Sequence, residues 1–128
     1  MGSYLIDTNA IIEFLGGILP QSGSYWIQSI VDANDFSISV INQIELLSYN
    51  GTPDEMSVLT DFINFSTIIG LTEDVVNKTI ELRRQFRIKL PDAVIAATAL
   101  LHNLTVITRN ESDFNHIDGL NVINPHSI

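Results

Sequence analysis

Apolar positions along the chain follow two periods, and the two take turns. Short β-rich runs at Tyr4-Leu5-Ile6 and at residues 36–40, 66–70, 104–108 and 120–123 read as strands. Between them the apolar residues fall at helical spacing. Residues 10–15 suit the first turns of a helix that Thr8 and Asn9 are well chosen to start. Residues 22–33 carry Trp26, Ile27, Ile30 and Val31 on one stripe. Ser39 is placed to cap a helix bearing Ile41, Ile44, Glu45, Leu46, Leu47 and Tyr49, which Asn50-Gly51 should close. Thr52-Pro53-Asp54-Glu55 joins an N-cap, a proline at the first helical position and a capping-box acid. Thr72-Glu73-Asp74 opens another helix, with Val75, Val76, Ile80 and Leu82 expected to face inward. The helices at 53–65 and 73–85 are expected to form an insertion-like arm around the third strand. A last, alanine-rich helix starts at Leu90-Pro91-Asp92 and stops near Asn103.

Strands alternating with helices predict βαβ units. The expected fold is therefore α/β, a three-layer α/β/α arrangement around a mainly parallel five-stranded sheet. The length, 128 residues, fits one domain over 1–128. With the first and fourth strands at the centre, the crevice at their C-terminal ends is the topological switch point, where open α/β sheets carry their chemistry. Asp7 ends the first strand, and the 108–114 loop follows the fourth.

Composition narrows the setting. The chain has no cysteine, no basic-then-apolar leader and no apolar run long enough to span a membrane, so a soluble cytoplasmic protein is expected. Net charge is -9, which by itself argues against nucleic acid. Its distribution changes that picture. Residues 1–77 hold ten acids and no cation, whereas all six cations, Lys78, Arg83, Arg84, Arg87, Lys89 and Arg109, lie between 78 and 109. An acidic pocket beside a basic strip suits a cation on one side and a polyanion on the other.

The candidate acids are Asp7, Glu45, Asp92 and Asp113, each near a strand–helix boundary. Taken singly each has an ordinary structural reading, such as a helix start or a turn. Four carboxylates converging on one place repel one another unless a counter-ion joins them. Oxygen-only ligands suit a hard divalent cation, Mg²⁺ or Mn²⁺. The histidines, His102, His116 and His126, lack metal-ligand spacing.

Four stretches then carry a specific resemblance. They are Tyr4-Leu5-Ile6-Asp7-Thr8-Asn9; Ser39-Val40-Ile41-Asn42-Gln43-Ile44-Glu45-Leu46; Lys89-Leu90-Pro91-Asp92-Ala93 through Ala99; and Thr108-Arg109-Asn110-Glu111-Ser112-Asp113-Phe114. In this order, and over nearly the whole chain, the sequence resembles the PIN-domain ribonucleases, particularly the VapC-type toxins of bacterial toxin–antitoxin pairs. The resemblance implies a metal-dependent endoribonuclease with an acidic site of Asp7, Glu45, Asp92 and Asp113. Asp7, Asp92 and Asp113 would hold Mg²⁺ or Mn²⁺, and Thr8, Asn9, Thr108 and Asn110 would support them. It also implies a homodimer and a small cognate antitoxin. The RNA backbone is expected along Arg83, Arg84, Arg87, Lys89 and Arg109, although six cations are few for a protein that cuts RNA.

Two rival classes differ at identifiable positions. A haloacid-dehalogenase-like phosphotransfer domain wants Asp at position 9, which is Asn, and a response regulator wants a late lysine, yet none follows Lys89. A non-catalytic RNA- or protein-binding module of the same fold is the other alternative, and the intact set of acids argues against it.

Overall fold

The computed structural model describes residues 2–128. Five strands, β1 (Tyr4–Ile6), β2 (Phe36–Ser39), β3 (Thr67–Ile69), β4 (Thr105–Ile107) and β5 (Val122–Ile123), form one sheet in the order β3-β2-β1-β4-β5. All four pairings are parallel. The chain builds outward from β1 through β2 to β3 and then crosses back to place β4 on the other side of β1. The switch point therefore lies between β1 and β4, whose register pairs Leu5 with Val106 and Ile6 with Ile107.

Six α-helices cover the sheet: α1 (Thr8–Leu15), α2 (Gln21–Asp32), α3 (Val40–Leu47), α4 (Pro53–Phe65), α5 (Glu73–Gln85) and α6 (Leu90–His102). Strand side chains alternate between faces, and so do their partners. Ile6, Phe36, Ile38 and Ile107 join Ile11, Ile27, Leu46 and Phe62 in one buried cluster. Leu5 and Val106 join Val75, Leu82, Val94 and Ile95 in the other. The result is the expected three layers. Residues Ala93 through Ala99 of α6 are all buried, and its alanines let the backbone lie close to its neighbours. Asn103 ends this helix in the left-handed region at φ 55°, a conformation asparagine tolerates better than most residues.

Several local expectations change. Asp7 itself caps α1, its carboxylate accepting from the Thr8 N–H, so Thr8 and Asn9 lie inside the first turn. Val40 belongs to α3, not to β2, and α3 ends at Ser48, short of Asn50-Gly51. Every residue of β2 is buried, Ser37 and Ser39 included. The inner face of α5 is Val75, Thr79 and Leu82, while Val76 and Ile80 are exposed. Thr79 is tolerated inside because its hydroxyl donates to the Val75 carbonyl at 2.7 Å. The helices α4 and α5 form no joint arm: the buried residues of α4 belong to one core cluster and those of α5 to the other. The Thr52–Glu55 capping box and Pro53 stand as expected at the start of α4.

Candidate active site

Asp7 sits at the end of the central strand and is buried. One carboxylate oxygen accepts from the Thr8 N–H at 2.9 Å and the other from the Thr108 hydroxyl at 3.0 Å. Thr108 in turn accepts from the Asn110 N–H at 3.1 Å. A carboxylate at the end of β1 is thus tied to the loop that leaves β4. Burial pushes the Asp7 carboxyl above its ordinary range; the two hydrogen bonds oppose this, and the charges of Glu45 and Asp113 reinforce it.

A second chain of hydrogen bonds fixes Glu45. The Ser39 N–H donates to Asn42 Oδ1 at 2.7 Å, Asn42 Nδ2 donates to Thr8 Oγ1 at 3.0 Å, and Thr8 Oγ1 donates to Glu45 Oε1 at 2.6 Å. Because Thr8 accepts from Asn42, its own proton is directed to Glu45. Asn42 is fully buried and completes the α3 capping box with Ser39. The same box that starts the helix therefore aims the carboxylate one turn further along it.

Asp92 is the third residue of α6, where the helix N-terminus favours negative charge. Even so, its carboxyl is pushed up to about 6. Partial burial is the main cause, followed by the charges of Asp113 and Asp7, with Glu45 adding and Lys89 opposing. Asp113 is exposed at the end of a short 3₁₀ turn, Glu111–Asp113. Asp7 and Asp92 thus each feel the charges of Glu45 and Asp113. Among the described residues no group of three or more His, Cys, Asp or Glu side chains lies close enough together to hold a metal ion. The donor set, carboxylates and hydroxyls with no thiol or imidazole, fits a hard divalent cation.

Asn110 contributes through its backbone, and the exposed Asn9 makes no side-chain hydrogen bond among the described residues. Arg83, Arg84, Arg87 and Lys89 are all exposed at the end of α5 and the entry to α6. Arg109 is separate from them and pairs with Glu13 at 3.4 Å. Asn42 and Glu13 escaped the sequence reading. The Ser-x-x-Asn spacing was a visible capping signal for Asn42, whereas nothing local marks Glu13.

The sequence model of one family, described as "PIN domain", matches residues 4–120. The chain belongs to the PIN-domain family. Solved PIN structures resemble it over almost their whole length. A toxin–antitoxin complex from Klebsiella pneumoniae holds a chain 30% identical, with TM-score 0.77, covering 98% of this chain and 100% of that one. FitAcB from Neisseria gonorrhoeae is 28% identical, with TM-score 0.79 and coverage of 98% and 99%. VapBC2 from Rickettsia felis, solved bound to a DNA fragment from its promoter, is 25% identical, with TM-score 0.79 and coverage of 94% and 97%. This PIN domain is thus similar to the toxins of VapBC and FitAB pairs. Comparison with the curated proteins gave no match. No helix of the described residues is long and apolar enough to cross a membrane.

Proposed function

We propose that this protein is a Mg²⁺- or Mn²⁺-dependent endoribonuclease, the toxin of a pair whose small cognate antitoxin silences it. The observation that carries the reading is that Asp7, buried at the end of β1, and Asp92, in the first turn of α6, both have raised carboxyls, chiefly through burial and further through the charges of neighbouring acids, Glu45 and Asp113 among them. Membership in the PIN-domain family and likeness to chains from toxin–antitoxin complexes support it.

In this reading Asp7, Asp92 and Asp113 hold the cation and Glu45 orients water. When bound, a divalent cation supplies an activated water at neutral pH and positive charge for the phosphoryl oxygens. The chain's own residues set the geometry. Thr8 N–H and Thr108 hold both Asp7 oxygens, so this carboxylate keeps one orientation. The Ser39–Asn42–Thr8 relay does the same for Glu45. Arg83, Arg84, Arg87 and Lys89 carry the RNA backbone toward the acids, and Lys89 already acts electrostatically on Asp92. The antitoxin places a basic side chain, most simply arginine, among the four acids. Outward-facing Val76 and Ile80, with Ile68 and Leu71 nearby in sequence, supply apolar surface for a homodimer. The protein acts as one domain over residues 1–128, in the cytoplasm.

Sequencing of RNA ends after brief expression, beside an Asp7→Asn control, tests the activity. Cleavage should leave 5′-phosphate and 3′-hydroxyl ends and stop with chelator. Cyclic 2′,3′-phosphate ends, or cuts that persist in Asp7→Asn, would contradict the reading.

A further inference from the structure

Beside the acids lies a second hollow. Asn9, Ile12 and Glu13 of α1 face Arg109 and Asn110 of the loop after β4 across an open cavity of about 350 Å³. That is at the lower end of the range for small-ligand pockets. It adjoins the acidic group through the chain itself: Asn9 is two residues from Asp7, and Asn110 two from Thr108, which donates to Asp7.

One wall of this hollow is held from behind. Arg109 Nη1 stands 3.4 Å from Glu13 Oε2, and His126 Nε2 stands 3.1 Å from both Glu13 oxygens. The Glu13 side chain is only 14% exposed, whereas that of Arg109 is 62% exposed. Among the described residues the other guanidinium N–H groups have no partner, so the fork is tied on one side and open on the other. His126 is itself anchored. It rides on the 3₁₀ turn Pro125–Ser127, whose Asn124 cap accepts from the His126 N–H at 2.9 Å and reaches Glu111 at 3.3 Å. This turn packs on α2 so closely that a Cβ at Gly23 would stand 2.0 Å from the Pro125 carbonyl oxygen.

The chemistry of the hollow is directional rather than strongly cationic. Glu13 offsets the charge of Arg109, and acids stand close by, so net charge gives a phosphate little reason to settle there. A guanidinium edge tied on one side to Glu13 and two carboxamides instead match the donors and acceptors of a base, and Ile12 offers an apolar surface for its ring. We propose that this hollow is a nucleobase subsite reading one base of the RNA beside the cleaved bond, with Glu13 as the positioning residue that fixes the Arg109 fork. The proposal rests on the RNA-hydrolysis reading above.

The test compares cut sites in a randomised RNA for wild type, Glu13→Gln, Arg109→Gln, Arg109→Lys and Asn9→Ala. Wild type should prefer one base at a single position flanking the cut by roughly tenfold or more. Each variant should reduce that preference to below about threefold while preferences elsewhere persist. Arg109→Lys keeps the charge and loses the planar fork, so retention of the preference by this variant would overturn the proposal. So would an unchanged preference in the other variants, or no flanking preference in wild type. Thermal melting identifies any variant that fails to fold, and the exposed Asn9→Ala keeps the test decisive if Glu13→Gln does. Binding of preferred and non-preferred hexaribonucleotides, measured in an Asp92→Asn background, repeats the comparison without turnover. If wild type cuts no RNA yet Glu13→Gln erases a base preference in binding, the subsite stands and the hydrolysis reading falls. If binding shows no base preference either, both fall.

Discussion

Replacing Asp92 by asparagine should stabilise the metal-free protein while disabling it. The Asp92 carboxyl is raised from 3.8 to about 6 by burial and by the charges of Asp113, Asp7 and Glu45. Between those two pH values the folded chain binds the proton more tightly than the unfolded chain does. Stability therefore falls as pH rises from about 4 to about 6, and the full penalty persists above that. The unscreened bound is about 3 kcal/mol, from about 1.36 kcal/mol per pH unit. Asp92 is only partly buried, and solvent screening leaves roughly 1–2 kcal/mol. Losing a carboxylate from the first turn of α6 returns about 0.5 kcal/mol of that. For a domain this size each kcal/mol moves Tm by about 3–6 °C. In chelator at pH 7.5, Asp92→Asn should melt roughly 2–9 °C above wild type, and at pH 4 the two should coincide within about 2 °C. Saturating Mn²⁺ should stabilise wild type more than the variant and narrow the gap. A variant that melts below wild type at pH 7.5, or a gap of equal size at both pH values, would refute the claim that burial and the neighbouring acids disfavour the Asp92 carboxylate.

Three further outcomes follow from other contacts. Ser37 Oγ is buried in β2 without a hydrogen-bond partner among the described residues, so Ser37→Ala should gain about 0.5–2 kcal/mol in denaturant melts and leave cleavage unchanged. Asn42→Ala strands the Ser39 N–H and releases Thr8 from its relay to Glu45; it should cost about 1–3 kcal/mol and lower the cleavage rate by about tenfold or more in single-turnover assays. Arg84→Gln with Arg87→Gln should weaken RNA binding and flatten its logarithmic salt dependence by about 0.7 per lost phosphate contact, with Mn²⁺ affinity intact in calorimetry.

Much of the fold was legible because its signals are local. The Thr52–Glu55 capping box, Pro91 in the first turn of α6 and Asn103 after its last all act within a few residues, and the structure keeps each. The all-parallel order followed from strand–helix alternation. What was misread depended on distant packing. Val76 and Ile80 are apolar, so composition put them inside; the phase of α5 is set instead by Val75 and Leu82 against β-sheet and α6 partners that the local sequence does not display. β2 reads as alternating apolar and hydroxyl residues, yet helices on both faces bury all four of its positions. The same limit applies at the site. The four acids stood out by position, but Glu13 acquires its role only when β4 and the C-terminal turn bring Arg109 and His126 to it.

The arrangement of charge gives these features a common physical origin. Asp7 and Asp92 are held where burial and mutual repulsion disfavour their ionised forms, and hydrogen bonds from Thr8 and Thr108 orient Asp7 without removing the repulsion. Two extensive apolar clusters, one on each face of the sheet, let the fold tolerate that penalty. In the proposed reading a cation entering beside these acids would relieve it. The part of that penalty due to charge repulsion would then reappear as affinity for the cation. In the proposed reading this would hold for Mg²⁺ and for the arginine of a partner alike. A metal needed for turnover and a basic side chain that blocks it would therefore compete for one deficit, and neutralising Asp92 would weaken both while strengthening the fold.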